Sequence, residues 1–519
     1  MKLTPFFILA SSIAALADVR LPAVISDNMV LLQDTKANVW GWADAGEKVT
    51  VKLGETTASA TTDAEGKWSV KLDGLKPGGG QDMSVAGKNT RTVKNVAVGE
   101  VWIASGQSNM EFTVNRGMDA EKEIAAAQFP DIRVFTVTKK GSTKPLDDCE
   151  GKWDICTPQT AGAFSAVGYF FLRELHEKVK TPVGLIHTSW GGTPVETWLP
   201  ESAMKPAFAE HWRKKQEEYP AAKIAFDQTM AKIKADTEAA KAEGKPAPKA
   251  PREPLGPDAL NAAPMGLYNG MIAPLTPYTI RGALWYQGES NTGPANRGNM
   301  DLYAQLFSTM ILSWRYEFAI AQGIPREEAE FPFLFVQLAN YYPRRDEPAD
   351  SYWAQIREAQ LATLEVPRTG MAVAIDIGEA ADIHPKNKQE VGHRLALSAL
   401  ATTYFQETEY SGPIYGGMQV EEGKIRLNLS HAEGLKTRDG SAIKGFALAG
   451  KDQQFHWAEA AIEGDHVVLT SAAVPSPIAV RYGWADNPDC NLINSAALPT
   501  SPFRSDTWPQ QPPAGSAGN

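Results

Sequence analysis

The stretch 101–110 reads Val101-Trp102-Ile103-Ala104-Ser105-Gly106-Gln107-Ser108-Asn109-Met110. Its first four residues form an apolar run that is typical of a buried strand, and the glycine and polar residues that follow indicate a tight turn into a helix. Further apolar runs at 183–186, 281–285, 333–336 and 372–375 alternate with helical stretches. This alternation predicts an α/β fold, with a mostly parallel sheet and helices on both of its faces.

The segments on either side of the α/β region carry a different pattern. Short strand-like runs separated by turn residues occupy 21–96, and similar alternation returns after Gly412. We therefore predict a chain of four regions. They are an N-terminal β domain at 18–96, an α/β domain at 97–408, a C-terminal β domain at 409–508 and a frayed tail at 509–519.

The stretch 206–257 does not fit the α/β alternation. It is rich in Ala and Lys, has a helical pattern through about Ala242 and then becomes rich in Pro. We interpret it as an inserted helical hairpin or lid. The alternative is a solvated spacer that takes no part in the chemistry.

The first 17 residues are typical of a secretory signal peptide. Lys2 precedes an apolar stretch at 6–16, and the small residues Ala15 and Ala17 permit cleavage before Asp18. The alternative is a retained anchor, but the apolar stretch is too short to span a bilayer comfortably. No other run approaches 18 apolar residues. We therefore expect no stable membrane span and an exported protein, periplasmic or extracellular.

The composition excludes several classes of partner. The chain has 51 Lys and Arg against 61 Asp and Glu, a net charge of −10, and no basic block. Nucleic acid and anionic membranes are therefore poor partners, and we expect a neutral ligand. Cys149 and Cys156 could form a small disulfide loop, leaving Cys490 unpaired. Without a CxxC pair, a cysteine-based metal site is not expected, and we predict no cofactor.

Ser108 is the candidate nucleophile. Ligands of α/β sheets bind outside the carboxyl ends of the strands, where a serine on a tight turn places its hydroxyl in the cleft. Its amide is one of the unbonded N–H groups at a helix start and can stabilise an oxyanion. The alternative is that Ser108 only caps a helix.

A serine hydroxyl needs a base, and the chain has eight histidines. Only His187 and His384 follow buried strands closely. His384 is favoured because an acidic loop at 376–383 precedes it. Asp382 in that loop can stabilise the imidazolium that forms during catalysis.

Two glycine-containing loops follow neighbouring strands. The loop 187–198 contains Gly191 and Gly192, whose amides can approach an oxyanion without a side chain in the way. The loop 285–291 brings amide side chains as further donors. The aromatic residues beside these loops could stack on sugars or could equally be buried in a core. They are Trp190, Trp198, Trp285 and Tyr286.

Taken together, these segments resemble the sialate O-acetylesterase group of carbohydrate esterases, within the SGNH (GDSL-like) hydrolase superfamily. The resemblance extends from Leu21 to about Trp508. Beyond the loops already quoted, it includes 26–31, 164–171, 267–272, Asp382-Ile383-His384-Pro385, and Arg481-Tyr482-Gly483-Trp484 with Asn494. It implies an SGNH-type, flavodoxin-like sheet flanked by β-sandwich-like domains.

The resemblance also implies a serine esterase that removes O-acetyl groups from carbohydrates through an acetyl-serine intermediate, without a metal. Ser108 and His384 would be its nucleophile and base. The oxyanion hole would comprise the amides of Ser108 and Gly192 and the side chain of Gln287 or Asn291. The predicted substrate-binding residues are Glu289, Trp190, Trp198 and Tyr268.

The chain departs from the superfamily pattern at two positions. Gln107 stands where the superfamily usually has Asp. The acid that often precedes the catalytic His by three positions is Ala381 here. We therefore predict Asp382 as the partner of His384, with Asp376 and Glu379 as alternatives.

Two other functions are compatible with parts of the pattern. A non-catalytic carbohydrate-binding protein on a degenerate hydrolase scaffold would use the tryptophans and not the triad. A metallohydrolase would use His384, Asp382 and Glu289, although the chain has no HExxH motif. For an esterase, acetylated sialic acid and acetylated plant polysaccharides such as xylan, xyloglucan and pectin are the candidate substrates.

Overall fold

The computed structural model describes residues 18–246, 248, 250–251, 253–256, 258–293 and 299–510. The predicted signal peptide and residues 511–519 of the predicted tail lie outside the described residues.

The N-terminal region consists of short strands that lead into one long strand. The short strands are β1 (Val30–Leu32), β2 (Ala37–Trp42), β3 (Lys48–Leu53), β4 (Thr56–Thr61), β5 (Lys67–Leu72) and β6 (Gly78–Ala86). The long strand is β7 (Thr90–Gly106), which pairs with β6 and β1 and then continues into the central sheet. The predicted boundary between 96 and 97 therefore falls inside a continuous strand.

The central region alternates strands and helices. The strands after β7 are β8 (Phe129–Val137), β9 (Gly151–Cys156), β10 (Val183–Ser189), β11 (Gly282–Tyr286), β12 (Phe333–Gln337) and β13 (Thr369–Val373). The helices are α1 (Ser108–Glu111), α2 (Ala120–Ala126), α3 (Ala166–Val179), α4 (Pro206–Ala242), α5 (Tyr303–Gln322), α6 (Tyr352–Ala362) and α7 (Lys388–Thr402). Side-chain caps from Ser165, Ser351 and Asn387 begin α3, α6 and α7.

The central sheet has the order β13-β12-β11-β7-β10-β8-β9. All neighbours are parallel except β8 and β9, so the α/β fold is confirmed and the central sheet is mixed. The five strands predicted from the sequence are β7, β10, β11, β12 and β13. Counted along the chain they lie in the order 2-1-3-4-5, which is the order of flavodoxin.

The helices form two packed pairs. Helix α3 packs on α7 and β10, and α5 packs on α6. Right-handed crossovers on either side of β7 put these two pairs on opposite faces of the sheet. The carboxyl ends of β7, β10 and β11 therefore open at one edge, where Ser108, Gly191 and Gln287 follow them.

The sequence did not predict β8 and β9. Strand β8 carries Asp131 and Arg133 in its interior, so it lacks a continuous apolar run. Arg133 is nevertheless buried, and its guanidinium donates to the carbonyls of Asn28 and Met29. These bonds give partners to Nη1 of a buried guanidinium, a group that a search for apolar runs excludes from a strand.

The possible disulfide does not form. Cys149 and Cys156 are free thiols, Cys149 lying two residues before β9 and Cys156 at its end, and burial raises the pKa of each to about 12. Seven residues of extended chain span roughly 23 Å, whereas bridged cysteines need Cα atoms within about 7 Å.

The insertion is one long helix and not a hairpin of two helices. Helix α4 has 37 residues, and Phe208 is its one buried residue. The return segment runs back along it, with Lys223 Nζ 3.2 Å from Glu253 Oε1. An apolar stripe is not needed on a helix whose surface is mostly solvated. Among the described residues, no helix is long and apolar enough to cross a membrane.

The C-terminal region is wholly β-structured and has its own core. Its strands are β14 (Ile414–Glu421), β15 (Lys424–Ser430), β16 (Lys436–Thr437), β17 (Phe446–Ala449), β18 (Phe455–Trp457), β19 (Glu459–Glu463), β20 (His466–Thr470), β21 (Ala479–Tyr482), β22 (Leu492–Ile493) and β23 (Phe503–Arg504). Two four-stranded antiparallel sheets, β14-β15-β20-β19 and β18-β17-β21-β23, share this core. The N-terminal and α/β regions instead share one continuous core.

Candidate active site

Gly106 brings the end of β7 against β11 and so sets the position of Ser108. Its φ is +132°, and a Cβ added there would lie 2.2 Å from the carbonyl oxygen of Tyr286. Only glycine tolerates this conformation and this close approach. The amide of Gln107 then donates to the same carbonyl at 2.9 Å, and α1 begins at Ser108.

Ser108 and His384 lie within hydrogen-bond distance although 276 residues separate them. The Oγ of Ser108 is 2.9 Å from Nε2 of His384. The imidazole comes from the loop between β13 and α7, and the hydroxyl comes from the start of α1. Both elements meet at the carboxyl ends of the parallel strands, as the sequence predicted.

Asp382 is the acid that contacts His384. Its Oδ1 lies 3.4 Å from Nδ1 of the imidazole and accepts the backbone amide of His384 at 2.9 Å. The alternative Asp376 binds Arg394 at 2.7 and 2.9 Å and Arg438 at 2.6 Å. The other alternative, Glu379, accepts the amide of Lys386 at 3.1 Å.

His384 is held in its neutral form near pH 7. Burial lowers the pKa of the imidazole, and the carboxylate of Asp382 opposes this effect. A neutral imidazole with its Nε2 facing a hydroxyl can accept the proton of that hydroxyl.

The glycine pair after β10 lies beside Ser108. A Cβ added to Gly191 would be 3.2 Å from the Cβ of Ser108. The amide of Gly191 donates to Oε2 of Glu111 at 2.7 Å, and Gly192 follows with a φ of +73°. Glu111 on α1 therefore fixes this loop next to the serine.

Gln287 and Asn291 do not face the serine, contrary to prediction. Both are fully buried. The Nε2 of Gln287 donates to Asn291 Oδ1 at 2.7 Å, and Nδ2 of Asn291 donates to Glu196 at 3.0 Å. The chain turns inward at Gly288, whose φ is +154°, so these amides bind the neighbouring loop and not an oxyanion.

Gln107, a departure from the superfamily pattern, was not predicted as a site residue. Its Oε1 accepts the amides of Gly288 at 3.3 Å and Ser290 at 3.2 Å. Its Nε2 has no acceptor among the residues that the structure describes. The sequence feature that could have identified Gln107 is its position directly before Ser108. An amide there supplies a hydrogen-bond donor, which the usual Asp carboxylate lacks.

A buried polar cluster supports the site from behind. Asn109 Oδ1 accepts from Lys388 Nζ at 2.6 Å, and its Nδ2 donates to Glu289 Oε1 at 2.5 Å and to the carbonyl of Ile383 at 3.0 Å. Burial lowers the pKa of Lys388 to about 7 and raises that of Glu289. Asn109 thereby anchors the residue before His384. Neither Asn109 nor Lys388 was predicted.

Two predicted substrate-binding residues are turned away from solvent. Trp198 is fully buried, its ring centroid lies 5.9 Å from that of Trp285, and its indole donates to Thr193 at 3.1 Å. Trp198 is therefore a core residue, and the prediction is wrong. Glu289 is 6% exposed; its Oε1 accepts from Asn109, and its Oε2 has no partner among the described residues, so its role toward substrate stays a prediction.

The other predicted aromatic residues have separate locations. Trp190 is partly exposed beside the glycine pair, with Lys139 Nζ 5.8 Å from its ring centroid. Tyr286 and Trp285 are fully buried. Tyr268 lines a different cleft, away from Ser108. Within the described part of the chain, no three His, Cys, Asp or Glu residues are grouped so as to hold a metal ion.

The mixed α/β fold and the arrangement of Ser108, His384 and Asp382 at one edge of the sheet are those of a hydrolase. A family model described as "Carbohydrate esterase, sialic acid-specific acetylesterase" matches residues 98–239 and 261–401. The chain belongs to this family, and it is a carboxylic ester hydrolase.

Named relatives agree with this assignment. The sialate O-acetylesterase of Rattus norvegicus is 32% identical over 93% of this chain and 94% of its own length. That of Homo sapiens is 30% identical over 93% and 92%. The crystal structure of a carbohydrate acetylesterase from Xanthomonas citri is 38% identical, covers 95% of this chain and 100% of that chain, and has a TM-score of 0.79.

Proposed function

We propose that this protein removes O-acetyl groups from carbohydrates through an acetyl-serine intermediate. The observation that carries the proposal is the 2.9 Å separation between Ser108 Oγ and His384 Nε2. The family match and the acetylesterase relatives support the acetylated sugar as substrate.

In the first half of the reaction, His384 takes the proton of Ser108 as the hydroxyl attacks the acetyl carbonyl. The carbonyl oxygen becomes negative and is bound by the amides of Ser108 and Gly192. We assign Gln107, the residue before Ser108, as the side-chain donor through its Nε2. His384 then protonates the sugar oxygen, which leaves as a free hydroxyl.

In the second half, His384 takes a proton from water, which attacks the acetyl-serine. The tetrahedral intermediate collapses to acetate, and Ser108 regains its proton from His384. Asp382 stabilises the imidazolium in both halves and keeps Nε2 directed at the serine.

The finer architecture and the location are also proposals. We infer an SGNH-type catalytic region, supported by the 2-1-3-4-5 order of its five strands. We infer a sandwich for the C-terminal region, supported by its two sheets around one core, and a similar arrangement for the N-terminal region, where β2 and β5 form a separate pair. The pattern at 1–17 supports export.

The decisive experiment is Ser108→Ala. We expect hydrolysis of 4-nitrophenyl acetate to fall to background and a fluorophosphonate probe to label the wild type but not the variant. Ser430→Ala, at an exposed serine, is the matched control and should keep full rate and labelling. A wild-type rate for Ser108→Ala would refute the proposal.

Acetate release from a panel of acetylated glycans identifies the sugar. The panel comprises acetylated sialic acid, xylan, xyloglucan and pectin. Binding to these glycans without any acetate release would favour the non-catalytic carbohydrate-binding function instead.

A further inference from the structure

A second cleft, of about 770 Å³, lies between the β2–β5 pair and the α/β region. One of its walls carries Trp40, Trp42 and Trp68. The opposite wall includes Tyr268 and the end of α5. Ser108, Asp382 and His384 do not line it. The lining residues Thr276 and Pro277 precede β11, so this part of the cleft is at the amino ends of the strands, opposite to the serine.

Aromatic side chains give this cleft an apolar surface. Trp42 is half-buried, and the Arg20 guanidinium lies 4.8 Å from its ring centroid. Trp40 and Trp68 are 8% and 3% exposed. Indole rings that combine a large apolar face with a polar N–H suit a ligand with alternating C–H faces and hydroxyl groups.

Tyr268 brings a phenol to the wall of the cleft. The residue is 3% exposed and lines the cleft, and its hydroxyl makes no hydrogen bond to any residue that the structure describes. Burial and the nearby carboxylate of Glu317 raise the pKa of this phenol, so it remains a neutral donor. A ligand oxygen in the cleft can accept a hydrogen bond from this hydroxyl.

The side chains that line the cleft carry a net negative charge, which favours an uncharged ligand over an anionic one. Asp63, Asp147, Glu201 and Glu317 line it, against the single cation Lys67. Lys67 is itself paired with Asp147 at 3.0 Å. A polyanion would be repelled, whereas neutral hydroxyl groups can donate to the carboxylates.

We propose that this cleft binds an uncharged segment of a carbohydrate chain, separate from the acetylated residue at Ser108. The link to the enzyme's own substrate rests on the proposed function. Holding a polymer at a second place raises its effective concentration at the serine. The site would therefore favour polymeric over monomeric acetyl esters.

The test measures binding without catalysis. Ser108→Ala protein is titrated with cellohexaose and xylohexaose, which carry no acetyl groups, and with a galacturonate hexamer as the anionic comparison. The same titrations are made after adding Trp42→Ala, Tyr268→Phe or Phe405→Ala. Phe405 is 85% exposed and outside the cleft, so it is the matched control. Circular dichroism checks that each variant is folded.

We expect a neutral hexasaccharide to bind and the galacturonate to bind at least about tenfold more weakly. Trp42→Ala should weaken neutral binding about tenfold and Tyr268→Phe about fivefold, whereas Phe405→Ala should not change it. No binding of either neutral probe, or binding that neither cleft variant weakens, would overturn the proposal. Loss of the esterase assignment would leave these titrations unchanged, so the two failures are distinguishable.

Discussion

Asp382 contacts both the backbone and the ring of His384, and it is 48% exposed in its side chain. Exposure weakens the charge interaction with the imidazolium, but the carboxylate still orients the ring. We expect Asp382→Asn to lower kcat on 4-nitrophenyl acetate by about 10²–10⁴-fold.

The matched control for this prediction is Glu379→Gln, in the same loop. Its carboxylate accepts the amide of Lys386 and does not reach His384. Glu379→Gln should lower kcat by less than about threefold. Equal losses of kcat from the two substitutions would show that kcat depends on the structure of the loop and not on the charge beside the imidazole.

The pKa of His384 sets the acid side of the pH profile. Burial lowers it below the ordinary value of about 6.5, and only the neutral ring can accept the serine proton. The kcat/KM on 4-nitrophenyl acetate should therefore rise with pH, with a midpoint below about 6.5, and then level off. In Asp382→Asn, loss of the charge that raises this pKa should move the midpoint lower still. A midpoint above 7 in the wild type would contradict the lowered pKa.

At the scale of elements, helix α4 is long and yet contributes little to the core. Phe208 is its one buried residue, and Tyr219 lies against Gly256 on the return segment. After removal of 220–250, the five residues 251–255 remain to connect Tyr219 with Gly256, so the chain can be rejoined. We expect deletion of 220–250 to shift Tm by less than about 2 °C and to leave hydrolysis of 4-nitrophenyl acetate intact.

The comparison for this deletion is Phe208→Ala in the same helix. It removes a side chain that is 2% exposed, at a cost of about 3–5 kcal/mol, and should lower Tm by several degrees. If the deletion lowers Tm more than Phe208→Ala does, helix α4 contributes to the stability of the fold. If the deletion lowers hydrolysis of 4-nitrophenyl acetate and leaves Tm unchanged, the helix acts as a lid of the active site.

The apolar runs predicted the central strands, but they could not predict β8 and β9 beside them. Strand β8 pairs with β10 and β9, and the burial of its Arg133 depends on bonds to Asn28 and Met29, which are over 100 residues away. The orientation of Gln287 also depends on contacts that no apolar run indicates. Its position after β11 was predicted, whereas the inward turn at Gly288 depends on contacts with Thr193 and Asn291.

At the scale of the whole molecule, β7 makes the N-terminal and α/β regions one unit. Its first half pairs with β6, residues Ala97–Gly99 pair with β1, and the two regions share a core. We expect a fragment that starts at residue 97 to lack native secondary structure by circular dichroism and to be digested quickly by protease, because an edge and a core face are exposed. A folded, active 97–510 fragment would contradict this continuity.

The C-terminal region has its own core but is tied to the active-site loop. Arg438 lies 2.6 Å from Asp376, which also binds Arg394 on α7. Fully buried Arg357 donates to the carbonyls of Ala485 at 2.7 Å and Asp486 at 3.0 Å. Asp376 thus connects two regions, which explains why an acid that looked suitable for catalysis is not available to His384.

By itself, the order of residues determined the α/β alternation, the turn at Gly106, and the placement of Ser108 and His384 after the carboxyl ends of two strands of the sheet. These features are local, since they follow from periodicity and from backbone freedom at glycine. Only the tertiary structure decided which carboxylate reaches His384, which amide side chains are bonded to the neighbouring loop and where the aromatic residues lie. Those outcomes depend on hydrogen bonds and packing between residues far apart in the chain, and no local pattern encodes them.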